Sequence, residues 1–155
     1  MNDIFDLVPK DKHDVSTIEA LKTIGIEKVV PVLPELLEWM KDGNWPCARE
    51  LLNVMPRFHA ELVPHVKNIF AIDDGEWKWF IFPLIERFPE ETIALLLSCI
   101  DRVVSQPTPD EVHSEVYDIA YKFLDSLNDK VIDRRNNEII DGNDKRRKSR
   151  NCHAV

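Results

Sequence analysis

Lys10-Asp11-Lys12-His13-Asp14 is the densest cluster of ionisable side chains ahead of residue 129. A histidine followed by an aspartate has the two parts of a general base and its orienting carboxylate, and such a loop would also make a recognition surface. Neighbours on one loop rarely assemble a working dyad, however. The plainer expectation is that Asp11 and Asp14 cap the helix that follows, while Lys10 and Lys12 pair with acidic neighbours.

Trp39, Trp45, Trp77 and Trp79 carry large contact areas, and indoles laid along a groove suit a peptide partner. Trp45 and Trp77 fall at equivalent places in the repeat described below, which predicts hairpin core for both. Trp39 and Trp79 lie off the apolar stripes. They join Lys10, Asp11, Lys12 and His13 as the candidate interaction surface.

Metal and catalytic signals are thin. His13, His59, His65, His113 and His153 include no His-x-x-x-His pair, and Cys47, Cys99 and Cys152 include no Cys-x-x-Cys. Glu111, Glu115 and Asp118 are predicted on one face of a helix, where three carboxylates could share a divalent cation. A solvated edge favoured by the helix dipole is the expectation. Neither a Gly-x-Ser-x-Gly elbow nor a phosphate-cradling glycine loop occurs, and four glycines leave little material for one. No catalytic residue, cofactor or metal ligand is assigned.

These residues need elements to hold them. The 155 residues suffice for one domain with a real core, and an odd number of cysteines argues for reduced thiols in a cytosol. The N-terminus is acidic and lacks the basic flank and apolar run of a secretory leader. No apolar stretch approaches a membrane span. Residues 1–128 hold 12 Lys/Arg against 23 Asp/Glu, a net of −11, whereas residues 129–155 hold 8 against 5, a net of +3. An acidic body repels nucleic acid and attracts basic partners. The basic run from Lys145 to Arg150 is the exception, expected to be a solvated tail.

Helical periodicity runs through the rest. Ser16-Thr17-Ile18-Glu19 reads as a capping box opening a short helix that Gly25 terminates. Val30, Leu33, Leu36, Leu37 and Met40 recur at helical spacing, as do Ala48, Leu51, Leu52 and Met55 after Pro46. Helices follow at about 60–72, 76–88 and 91–104. A second capping box, Thr108-Pro109-Asp110-Glu111, opens the last clear helix, with Val112, Val116, Ile119, Ala120, Phe123 and Leu127 inward. Beyond it, helix is expected to about Ile140 and a mobile tail after that.

Laid over each other, the helices repeat. Leu33-Pro34 corresponds to Val63-Pro64 at an offset of 30, Trp45 to Trp77 at 32, and Met55-Pro56 to Phe88-Pro89 at 33. One such unit is a helical hairpin that cannot bury its apolar faces alone, so copies stack. The fold class expected is all-α, a short HEAT-like α-solenoid of stacked antiparallel helical hairpins over residues 1–128, with residues 129–155 a charged, partly mobile extension.

Leu7-Val8-Pro9-Lys10-Asp11-Lys12-His13-Asp14, Leu33-Pro34-Glu35-Leu36-Leu37-Glu38-Trp39, Asn44-Trp45-Pro46 and Asp73-Asp74 before Trp77-Lys78 together resemble a family of short bacterial domains of unknown function. The resemblance spans roughly residues 5–127 and implies a HEAT-like fold in a bacterial cytoplasm. It brings no catalytic residues. The function expected is a non-enzymatic protein-interaction module. The alternatives are an immunity protein neutralising a basic toxin and a small-molecule-binding or lyase-like helical-repeat protein.

Overall fold

A computed structural model describes residues 3–151, and every regular element among them is helical. A 3-10 turn at Ile4–Leu7 leads into α1 (Ser16–Ala20) and α2 (Ile26–Val29). There follow α3 (Leu33–Glu38), α4 (Pro46–Val54), α5 (His59–Ala71), α6 (Gly75–Ile85), α7 (Glu90–Ser105), α8 (Pro109–His113) and α9 (Val116–Asn151). The chain divides into two units, Met1–Ala120 and Tyr121–Val155.

In the first unit the periodic residues are the core. Leu33, Leu36 and Leu37 of α3, Leu51 and Val54 of α4, Leu62, Val66 and Ile69 of α5, and Leu96, Ile100 and Val103 of α7 are all buried. Each contributes about 1.5–3 kcal/mol by leaving water. α5 packs on α3, α6 and α7, and α6 packs on α8. Phe70 meets Phe82 edge-on at 5.9 Å where α5 and α6 cross.

The last carbonyls of a helix have no partner inside it. Here several are taken by side chains from later elements. Arg57 Nη1 donates to Leu21 O at 3.0 Å and Arg87 Nη1 to Leu52 O at 2.7 Å. Arg102 Nη2 donates to Phe70 O at 3.2 Å and Trp77 Nε1 to Leu37 O at 3.1 Å. The cationic donors also complement the negative end of the helix dipole.

Several local expectations are corrected. Ser16 caps nothing, because it is the first residue inside α1 rather than its N-cap; its hydroxyl donates to Asp14 Oδ1 at 3.0 Å, and Glu19 turns to Lys22 at 2.8 Å. Gly25 is not a left-handed terminator: its φ is −59°, and it precedes α2 as the N-cap. Val112, placed on an inner stripe by its spacing, is more than half exposed. The capping box at Thr108 forms as expected, with Thr108 Oγ1 accepting from Glu111 N at 3.1 Å and Glu111 Oε2 from Thr108 N at 3.1 Å. The helix it opens is short, however. Glu115 adopts φ 61°, a left-handed conformation unusual for a residue with a side chain, and the chain restarts as α9.

In the second unit α9 runs on to Asn151 rather than yielding to a coil after Ile140. Intrahelical pairs such as Lys148 Nζ to Asp144 Oδ2 at 3.2 Å favour the helix there. Cys152 and His153 lie outside the described residues.

Candidate functional site

α6 is apolar around most of its circumference, with Trp77, Ile81, Phe82, Leu84 and Ile85 all buried. Lys78 sits in the middle of that surface and is carried inward with it, 1% exposed. An ammonium so placed requires an opposite charge, since burying it alone is prohibitive. The capping box of α8 supplies one. Glu111 is fully buried, and its Oε1 accepts from Lys78 Nζ at 2.9 Å.

Arg102, one turn before the end of α7, completes the group. Its Nη2 reaches Glu111 Oε1 at 2.6 Å and its Nη1 reaches Oε2 at 2.8 Å, a bidentate fork. Burial pushes the Glu111 carboxyl up, but the hydrogen bonds from Arg102 and Lys78 and from the Thr108 amide outweigh it and hold the pKa at about 2. The bond to Glu111 raises Arg102 in turn. The Arg102 guanidinium is thus held charged against a carboxylate that does not protonate near neutrality.

This group lies in the wall of a cleft of about 640 Å³ between the end of α5, α6, α7 and the start of α8. Phe70, Ala71, Ile72 and Pro109 give it apolar sides, and Asp73 and Asp110 add carboxylates. Asp110 Oδ2 accepts from Gly75 N at 2.6 Å, which ties the first turn of α6 to α8. A side chain at Gly75 would meet Ser114 Oγ at 2.6 Å and Asp110 Oδ2 at 2.7 Å, so only glycine lets the two elements come this close. The cleft has the size and mixed lining of a binding site. Glu111 is committed to its two cations, so it suits charge recognition better than proton transfer.

The candidate interaction surface read from the sequence lies elsewhere. Lys10, Asp11, Lys12 and His13 are exposed. Asp14 accepts from Lys10 N at 3.0 Å and from Ser16 Oγ, which lowers its pKa, chiefly through the Lys10 amide. Asp11 accepts from His13 N at 2.8 Å. Asp11 therefore shapes the loop itself, whereas Asp14 also accepts from the Thr17 amide in the first turn of α1, as a capping carboxylate does; no His13–Asp14 dyad forms. The loop is pinned to α4 by Cys47 N donating to Lys12 O at 3.0 Å.

Among the tryptophans, Trp77 is core as expected, with Lys41 Nζ 4.6 Å from its ring centre. Trp45 is only half-buried: it precedes α4 as the N-cap, whereas Trp77 lies inside α6, so their repeat positions are not equivalent. Trp39 is half-buried, tilted at 60° to Trp45 with centres 5.7 Å apart. Trp79 is exposed and stands edge-on to Phe80 at 5.1 Å. Neither lines the cleft. Glu111, Glu115 and Asp118 do not share a solvated face, because Glu111 is buried and the backbone reverses hand at Glu115. Among the described residues no group of three or more His, Cys, Asp or Glu converges as a metal site would require.

Lys78 and Arg102 were not singled out. A lone lysine inside an otherwise apolar helix was the signal for the first; Arg102, in the last turn of α7, reads as an ordinary solvated helix-end cation.

Residues 7–124 match the model of a domain of unknown function, DUF5071. The chain belongs to this family. The DUF5071 match contains the whole cleft and most of the first unit, and leaves out α9 beyond its first turns. No curated protein matches the chain. No helix among the described residues is long and apolar enough to cross a membrane.

Proposed function

We propose that this DUF5071 domain is a non-enzymatic protein-interaction module of the bacterial cytoplasm, and that its helices stack as a short HEAT-like solenoid. Two features favour the solenoid: α3, α5 and α7 pack in succession, and helix-end carbonyls are held by side chains 32 to 40 residues further on. Contacts of that range are what neighbouring hairpins make.

The observation that carries the binding reading is the cleft. Its Glu111 is fixed as an anion with a pKa of about 2, so its local charges are a rigid recognition pattern rather than a proton relay. Apolar walls with Asp73 and Asp110 beside them, on a body of net −11, favour a basic peptide segment of another protein. The immunity reading is the narrower form of the same proposal, with a basic toxin as that protein.

A photo-crosslinking residue at Ile72 in the native host tests this. The expected result is an adduct with a specific protein that is lost on Asp73→Lys. Adducts that survive the charge reversal, or none at all, overturn it. The cleft volume also lies in the range of small-molecule sites, which favours small-molecule binding as the second reading. A metabolite that raises the melting temperature of the wild type but not of Asp110→Ala would select it.

A further inference from the structure

The part of α9 beyond Tyr121 carries a seven-residue rhythm. Asp125, Ile132, Ile139 and Arg146 stand at successive intervals of seven, and a helix returns such positions to one face with a drift of about 20° per step. Ile132 and Ile139 are more than half exposed, as is Ile140, and Val131 is nearly so. At Gly142 there is open space where a side chain would stand, and Arg135, Glu138, Ile139, Asn143 and Arg146 border a concavity of about 470 Å³ around it. This stretch is a poor helix former on its own. Val131, Ile132, Ile139 and Ile140 are β-branched, and Asn136, Asn137, Gly142 and Asn143 disfavour a helix interior. A long helix of that composition with an uncovered apolar seam depends on a second surface to cover it.

We propose that a second copy of this chain covers the seam, lying antiparallel along it. The order acid, isoleucine, isoleucine, base is its own complement when reversed. Asp125 meets Arg146 of the partner subunit and Ile132 meets Ile139 of the partner subunit, with the twofold axis between residues 135 and 136. A parallel pair would set aspartate against aspartate and arginine against arginine, which charge repulsion disfavours. Gly142 lets the backbones approach, and Asn136, next to the axis, penalises other registers as buried amides do in coiled coils. The isoleucines supply the attraction and the exposed ion pairs supply the direction. The contact is small, so the dimer exchanges with monomer.

Sedimentation velocity on the full chain, over a concentration series at low salt, tests this. The expected result is a reversible monomer–dimer equilibrium that Ile132→Asp or Ile139→Asp abolishes while the circular dichroism of the folded body persists. Asp125→Arg and Arg146→Asp each weaken association about threefold or more, the scale of exposed ion pairs. Mixing those two variants restores it, because the mixed dimer has one native ion pair and one with its signs exchanged. A monomer at every concentration overturns the proposal, including one that binds duplex DNA or anionic vesicles instead. So does a dimer indifferent to the isoleucine changes, or a failure of the mixed variants to recover.

Discussion

The Lys78 ammonium lies 2.9 Å from Glu111 Oε1, with both side chains shut away from solvent. Removing one side of that contact is not equivalent to removing the other. Glu111→Gln leaves two cations facing each other without an anion, and it is expected to cost about 3–5 kcal/mol. Lys78→Met leaves Glu111 with Arg102 and fills the space with apolar atoms, so its cost is expected to be smaller. Urea unfolding of the two variants checks the order, and equal losses would contradict it.

The same carboxylate sets a pH dependence. Its folded pKa of about 2 lies below the ordinary value of 4.5, so protons bind the unfolded chain more readily. The stability it contributes is complete above about pH 4.5 and is lost as pH falls towards about 2, on the order of 2–3 kcal/mol. Wild type and Glu111→Gln, unfolded in urea at a series of pH values, should differ by a gap that narrows across this window.

Gly75→Ala places a methyl group within 2.7 Å of Ser114 Oγ and Asp110 Oδ2. The start of α6 and α8 must then separate, stretching the Gly75 amide bond to Asp110. A loss of about 1–3 kcal/mol is expected, readable as a lower melting temperature. Asp110→Ala with Gly75→Ala should cost less than the sum of the two single changes.

Trp77 and Trp79 are two residues apart and should behave oppositely. Trp77→Ala opens a core cavity and strips Leu37 O of its donor, for about 3–5 kcal/mol. Trp79→Ala touches an exposed ring and should cost about 1 kcal/mol or less. If Trp79 belongs to the interaction surface, partner capture falls for Trp79→Ala while its melting temperature holds.

How much of this was legible in the sequence follows from the range of each interaction. Helices α3 to α7 are written in local spacing, as in Leu33, Leu36 and Leu37 or Leu96, Ile100 and Val103, and periodicity finds them. The Thr108–Glu111 box is also local, and it forms. Ser16 resembles it in pattern, yet Ser16 is the first residue inside α1 rather than its N-cap, and its hydroxyl turns back to Asp14. The site was hidden for the opposite reason. Glu111, Lys78 and Arg102 come from three helices, and their pairing depends on which faces meet. The chain shows each charge singly, and a charged residue on a helix is ordinarily solvated. The left-handed turn at Glu115 carries no glycine to announce it.

The borrowed helix-end carbonyls bear on how the molecule is made. Arg57 closes α1 from 36 residues downstream, Arg87 closes α4 from 35, and Arg102 closes α5 from 32. During synthesis each early helix therefore waits for only one more hairpin to leave the ribosome before its frayed end is fastened. Growth of the folded body can keep pace with elongation in a vectorial manner, without waiting for the C-terminus.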